Sequence, residues 1–147
     1  MNTELRRLIQ KYDATLPANH LRNLRFGHAC VERVCHQLEE DEALLAWCSF
    51  SDYLDNKLDE GQFQQAAQQI LGVANRHKGS KSIDGSQHAA VSATYALANA
   101  MNGKAVEAAE YAAYSKIYGY GAYAVKDPES FAEEYAWQVT SFIKCMV

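Results

Sequence analysis

Three histidines near the start of the chain are spaced by eight residues: His20, His28 and His36. Imidazole is a common metal ligand, so regular histidine spacing is a natural place to look for a metal site. On an α-helix, however, eight residues correspond to a rotation of about 80°, so the three rings point in progressively different directions. The spacing therefore predicts no shared metal site. We expect His28, which lies on an apolar stripe, to be a hydrogen-bonded core residue.

Nucleophilic catalysis needs a base within reach of a serine or cysteine. Cys35 and His36 are neighbours in sequence, and neighbouring residues point in different directions on a helix. The chain also has no G-x-S-x-G elbow. The four cysteines follow no C-x-x-C spacing, so we expect reduced and mostly buried thiols at Cys30, Cys35, Cys48 and Cys145.

The segment RNLRFGH, from Arg22 to His28, resembles the Arg-x(4–6)-His motif of the HEPN ribonucleases. In that all-helical family the arginine and histidine act on an RNA phosphodiester across a dimer. The resemblance implies Arg22 and His28 as a catalytic pair and a homodimer as the functional unit. The family carries its motif in a C-terminal helix, whereas here it lies near the start of the chain. Because the motif matches but its position in the chain does not, HEPN-like ribonuclease activity is an alternative function and not the leading one.

Acidic residues are concentrated between Leu38 and Glu60, where eight acids stand against a single base, Lys57. The whole chain carries a net charge of −4, which argues against a general nucleic-acid binder. An acidic stretch is either a solvated helix surface or a docking surface for a basic partner. The second interpretation makes Asp52, Asp55 and Asp59 candidate partner-binding residues.

The stretch from Ala89 to Val125 consists of two Ala-rich runs joined at Asn102-Gly103. Such a short connection predicts two antiparallel helices at the centre of a bundle. On the second helix Tyr111, Tyr114 and Tyr118 form one stripe. Buried tyrosines are common core residues, and we favour that interpretation. Tyrosines also anchor protein interfaces, which makes these three the alternative partner-binding residues.

The remaining sequence predicts an all-α protein with six or seven helices in a single domain covering residues 1–147. Prolines are few, alternating strand patterns are absent, and Lys78–Gly85 is the clearest loop. Expected starting residues are Thr3, Asn19 or Pro17, Asp59, Ser86 or Asp84, and Asp127-Pro128. Expected inward stripes are Leu24, His28, Val31, Cys35 and Leu38; Leu44, Trp47, Ser51, Leu54 and Leu58; Phe63, Ala67, Ile70 and Ala74; Val106, Ala109, Ala113, Ile117, Tyr120 and Ala124; and Phe131, Tyr135, Val139, Phe142 and Met146.

From Leu21 to about Gly121 the chain resembles the all-helical immunity proteins of bacterial polymorphic toxin systems, the Imm-five-like group. The segment FGHACVERV, residues 26–34, resembles an early helix of that family. An acidic helix and a Gln/Ala helix follow in matching order, and QHAAVSA, residues 87–93, opens a similar Ala-rich pair. The resemblance implies a cytoplasmic protein that binds and neutralises a toxin without turnover. It assigns no site residues.

These observations lead to one prediction for function. The chain is expected to be a non-catalytic immunity protein whose partner is a cognate protein toxin, with no metal, no cofactor, no membrane and no direct nucleic-acid contact. The N-terminus lacks an apolar leader, and the cytoplasm is the expected location. A structural or regulatory bundle is the other alternative, and a homodimer is left open.

Overall fold

A computed structural model describes residues 1–13, 19–76 and 86–146. Within these ranges the protein is all-α, as predicted, and contains no strand. Its helices are α1 (Thr3–Asp13), α2 (His20–Glu32), α3 (Asp41–Leu54), α4 (Glu60–Arg76), α5 (Ser86–Met101), α6 (Ala105–Tyr118), α7 (Ala122–Val125) and α8 (Ala132–Cys145). Two 3-10 turns, Cys35–Gln37 and Pro128–Phe131, lie between them. The predicted loop Lys78–Gly85 and the starting residues Pro17 and Asp84 lie outside the described residues.

The predicted Ala-rich hairpin, α5 and α6, lies at the centre of the bundle. Gly103 connects the two helices with φ of +76°, a left-handed conformation that favours glycine. The amide of Lys104 donates to the carbonyl of Asn99 at 2.9 Å and closes the turn. Helix α5 also packs against α2, α3 and α4, and α6 packs against α1, α2 and α8. The hairpin is therefore the element that the other helices surround.

Small residues let these helices approach closely. The alanines that α6 directs inward are fully or almost fully buried, namely Ala105, Ala108, Ala109, Ala112 and Ala113. On the other side of α5, Gly27 of α2 faces Ala100 so closely that an added Cβ would lie 2.8 Å from the Cβ of Ala100. Because protein interiors are close-packed, such contacts leave no room for a larger side chain.

Several local predictions are confirmed. Asp59 caps α4, since its Oδ1 accepts a hydrogen bond from the amide of Gln62 at 2.7 Å. Asp127 accepts from the amide of Glu129 at 3.1 Å where the last helical segment begins. The predicted inward stripe of α4 is buried at all four positions, Phe63, Ala67, Ile70 and Ala74.

Predicted helix ends and caps need three corrections. The predicted stripe from Leu24 to Leu38 does not belong to one helix, because the chain turns after Glu32 and forms a 3-10 turn that brings both Val34 and Leu38 into the core. Helix α1 is capped by Asn2, not Thr3, since Asn2 Oδ1 accepts from the amide of Leu5 at 3.2 Å. The four-residue helix α7 was not predicted and brings the described α-helices to eight.

Two predicted faces are also corrected. Helix α3 buries Ala43, Ala46 and Phe50, so it is rotated relative to the predicted stripe and Leu44 is exposed. The rotation brings the Phe50 ring against that of Phe63, with ring centres 5.7 Å apart. Tyr120 is exposed as well, because α6 ends at Tyr118.

Candidate functional site

Two of the three tyrosines on α6 are exposed. Tyr111 and Tyr114 retain 37% and 41% of their accessible surface, and Tyr118 is half-buried. The prediction that they fill the core is wrong for Tyr111 and Tyr114. Its physical reason is the alanine face of α6, which packs against α5 and α2 and leaves the tyrosine stripe directed outward.

Helix α5 extends this tyrosine stripe into a larger surface. The ring of Tyr95 stacks on Tyr111 with centres 5.1 Å apart, and the ring of His88 stacks on Tyr118 at 5.3 Å. Tyr114 lies next to Tyr118, with ring centres 6.4 Å apart. We call these five residues the aromatic face. Aromatic rings with polar tips, held in stacked pairs, are typical of protein-binding surfaces.

Sequence analysis missed the α5 members of the aromatic face, although the sequence contains a signal for them. Tyr95 and Tyr111 each lie eight residues from Gly103, and His88 and Tyr118 each lie fifteen residues from it. Residues equally distant from the turn of an antiparallel hairpin lie side by side. A stripe on one helix does not show these pairs, because they form only when the two helices are aligned about Gly103.

The backbone beneath the aromatic face is held by buried hydrogen bonds. Ser115 Oγ donates to the carbonyl of Ala89 at 2.7 Å, which fixes α6 on α5. Gln37 Nε2 donates to the carbonyl of Ser115 at 3.1 Å and attaches the 3-10 turn. Gln138 Nε2 donates to the carbonyl of Ala109 at 2.8 Å from α8. A surface fixed in this way loses little conformational entropy on binding.

A cavity of about 280 Å³ adjoins the aromatic face at Tyr114. Phe131 meets the Tyr114 ring edge to face at 5.4 Å, and Tyr135 lies 5.5 Å from Phe131 between ring centres. Val125 and Pro128 contribute apolar walls. Burial raises the pKa of Tyr135. Its phenol, like that of any tyrosine, is protonated at neutral pH and can donate a hydrogen bond. The cavity can accept an apolar side chain that ends in a hydrogen-bond acceptor.

The acidic candidates lie on a different surface. Asp52 and Asp55 are exposed near the end of α3, and Asp59 is occupied as the cap of α4. Helix α3 packs against α2, α4 and α5, whereas the tyrosines lie on α6. The structure therefore separates the six predicted partner-binding residues into an aromatic group on the hairpin and an acidic group at the α3–α4 connection.

The Arg22–His28 pair is not brought together. The His28 ring stacks on Trp47 of α3 at 4.3 Å, and its Nε2 is hydrogen-bonded to Ser51 Oγ at 2.9 Å. Burial lowers the pKa of His28 against the opposing influence of Glu32 and Asp55. Arg22 instead lies over the ring of Phe142 in α8, 4.9 Å from its centre. The two side chains thus contact different neighbours of α2.

The described residues also bear on a metal site, on membrane-spanning helices and on the four cysteines. Among residues 1–13, 19–76 and 86–146, no group of three or more His, Cys, Asp or Glu side chains could hold a metal ion. None of the helices described in these ranges combines the length and apolar character needed to cross a membrane. Of the four cysteines, Cys30 is buried, Cys35 and Cys145 are half-buried and Cys48 is exposed, so the prediction of mostly buried thiols is wrong.

Comparison of the chain with models of known protein families, with curated proteins and with solved structures finds no match.

Proposed function

We propose that this chain is a cytoplasmic binding protein without turnover, which uses the aromatic face to hold a partner protein. We further propose that the partner is a bacterial toxin and that binding neutralises it. The observation that carries the binding proposal is the pair of exposed tyrosines, Tyr111 and Tyr114, on a hairpin fixed by buried alanines.

The energetics of tyrosine support this assignment. A tyrosine at an interface contributes a large apolar ring and a hydroxyl while losing only two side-chain rotations. The stacking of Tyr111 on Tyr95 already restricts one of these rings before a partner arrives. Tyr95 is further restricted because its hydroxyl donates to Asn75 Oδ1 at 3.2 Å. Pre-organised aromatic side chains of this kind supply most of the affinity in many interfaces.

The choice of a toxin as the partner rests on the resemblance of residues 26–34 and 87–93 to the immunity proteins. An immunity protein needs a rigid scaffold and fast association with its toxin. The buried hydrogen bonds beneath α6 are consistent with the first requirement. The exposed acids Asp52 and Asp55 are consistent with the second, since they would attract a basic toxin.

The ribonuclease alternative receives less support. It requires Arg22 and His28 to act on one phosphodiester, but Arg22 lies against α8 and His28 against α3. Stacking of the His28 ring on Trp47 also covers one of its faces. The geometry therefore favours the binding proposal over the catalytic one.

The experiment that tests the proposed function is co-expression with the product of the neighbouring gene. We expect that product to be toxic when expressed alone, to be harmless with this chain, and to be retained by it in a pull-down. Replacement of both Tyr111 and Tyr114 by alanine should weaken binding about 1,000-fold, because a tyrosine that is a binding hot spot contributes about 2 kcal/mol.

The matched control is Tyr123→Ala, which removes an exposed tyrosine of α7 outside the aromatic face. It should leave binding and protection unchanged. A neighbouring product that is neither toxic nor bound would refute the toxin proposal. Binding that survives the double alanine variant would refute the assignment to the aromatic face.

A further inference from the structure

Helix α3 presents two leucines to solvent. Leu45 retains 69% of its accessible surface and Leu44 retains 42%. Cys48 is exposed one turn further along the same face. We call Leu44, Leu45 and Cys48 the leucine ridge. Single exposed apolar residues are ordinary, but a contiguous group next to a groove marks a binding surface.

Leu45 of the leucine ridge lines a groove between α3 and α4. It encloses a cavity of about 130 Å³. Its apolar and small lining residues are Leu45, Ala46, Ser49, Ala66, Ile70 and Val73. Because Ala46, Ser49 and Ala66 are small, the two helices leave a depression between them that the side chains of a third helix can enter.

The charge around the groove selects its occupant. Between Leu38 and Arg76 the chain has eight acidic residues and only two basic ones, Lys57 and Arg76. Arg76 is already paired with Glu42 at the edge of the groove, with 3.4 Å between nitrogen and oxygen. Asp41 and Asp52 are exposed on α3, one before and one after the leucine ridge along the helix. A complementary ligand therefore has an apolar stripe bordered by positive charge.

We infer that the α3–α4 groove docks a basic amphipathic helix of a partner protein, with its apolar stripe on the leucine ridge and its lysines or arginines against Asp41 and Asp52. An amphipathic helix in a groove is an established mode of peptide recognition. Negative charge around the groove repels nucleic acid and anionic lipid, which leaves a protein segment as the favoured ligand. The inference shares one assumption with the proposed function, namely that the chain binds another protein.

The test uses a probe that requires no knowledge of the partner. The probe is an amidated peptide of about 18 residues, long enough to form a helix, with leucines on one face and lysines on the other. We expect calorimetry to detect binding of this peptide to the full chain. A scrambled peptide of the same composition and a helical peptide of leucine and glutamate should not bind measurably. Equal binding of the scrambled peptide would overturn the inference, because charge alone would then explain the affinity.

A matched pair of leucine variants locates the binding site. Leu45→Ser removes the more exposed leucine of the leucine ridge and should weaken peptide binding about tenfold or more. Leu71→Ser removes a leucine of α4 that is 39% exposed and lies outside the groove lining, so affinity should not change. Unchanged affinity in Leu45→Ser would overturn the inference. Since Leu45 is exposed, the variant should retain the thermal stability of the parent chain.

Cysteine alkylation gives an independent readout in a single sample. Saturating peptide should slow alkylation of Cys48, on the leucine ridge, by about fivefold or more as it is removed from solvent. Cys35, half-buried in a 3-10 turn, serves as the internal control and should keep its rate. Failure to protect Cys48 would overturn the inference.

None of these measurements involves the toxin, so a negative result in any of them would leave the proposed function intact. Conversely, failure of toxin binding through the aromatic face would leave this inference intact.

Discussion

The guanidinium of Arg33 holds the carboxylate of Glu134 through two near-parallel contacts, Nη2 to Oε1 at 2.6 Å and Nε to Oε2 at 2.8 Å. Glu134 is 3% exposed, and Arg33 also lies over the ring of Trp137, 4.0 Å from its centre. The hydrogen bond to Glu134 raises the pKa of Arg33. This pair attaches the end of α2 to α8. Without Arg33, the buried carboxylate of Glu134 on α8 would have no compensating charge.

Arg33→Met should destabilise the chain by about 3 kcal/mol, because removing one partner leaves a buried charge without compensation. Urea unfolding at pH 7, followed by circular dichroism, measures the difference. The matched control is Arg76→Met, which breaks the exposed pair with Glu42 and should cost less than about 1 kcal/mol. Equal losses in the two variants would contradict a structural role for the buried pair.

Two glycines in helix interiors should respond to alanine with opposite signs. Gly27→Ala places a Cβ 2.8 Å from that of Ala100 and should destabilise the chain by about 1–3 kcal/mol through overpacking. Gly72→Ala meets no atom closer than 3.9 Å and should stabilise α4 by about 0.5–1 kcal/mol. Thermal unfolding of both variants checks the prediction. A stabilised Gly27→Ala would show that α2 and α5 are further apart than described.

Asp59→Ala should lower stability by about 1 kcal/mol because it removes the cap of α4. The reciprocal bond, in which the Gln62 side chain accepts from the backbone amide of residue 59 at 3.4 Å, keeps its donor in this variant, so only the carboxylate cap is lost. Asp52→Ala removes an exposed acid of α3 and serves as the control, with an expected change within about 0.5 kcal/mol. Chemical unfolding distinguishes the two. A neutral Asp59→Ala would return Asp59 to the partner-binding candidates.

His28 should make stability depend on pH below about 6.5. Burial lowers its pKa in the folded protein, so the unfolded chain, with a pKa near 6.5, binds the proton more readily. The stabilising contribution of neutral His28 is full above pH 6.5 and declines as pH falls from there toward the folded-state pKa. Urea midpoints measured between pH 7.5 and about pH 5 test this window.

His28→Gln removes the titrating group at the centre of that prediction. Its urea midpoint should fall less between pH 7 and about pH 5 than that of the parent chain, even if the variant is less stable at every pH. His36→Gln replaces an exposed histidine and should retain the parent slope. An unchanged slope in His28→Gln would assign the pH dependence to other groups.

The sequence by itself determined the all-helical class, the starts of several helices and the turn of the central hairpin. Gly103 acts through its own backbone conformation, and the carboxylates of Asp59 and Asp127 bond to amides two or three residues away, so their signals are readable without knowing the fold. The apolar period of α4 is equally local, and all four predicted residues are buried. Local chemistry therefore predicted the all-α class and the central hairpin.

Only the tertiary structure decided which faces meet. Helix α3 has apolar residues on more than one side, and the contact of Phe50 with Phe63 selects the buried side and exposes Leu45. The tyrosines of α6 face outward because alanines on the opposite side allow closer packing against α5. Arg33 and Glu134 are 101 residues apart in sequence, so no local signal could pair them. The aromatic face and the leucine ridge are both exposed because the opposite sides of α6 and α3 pack against neighbouring helices. Which side of a helix is buried depends on how those neighbours fill the available space.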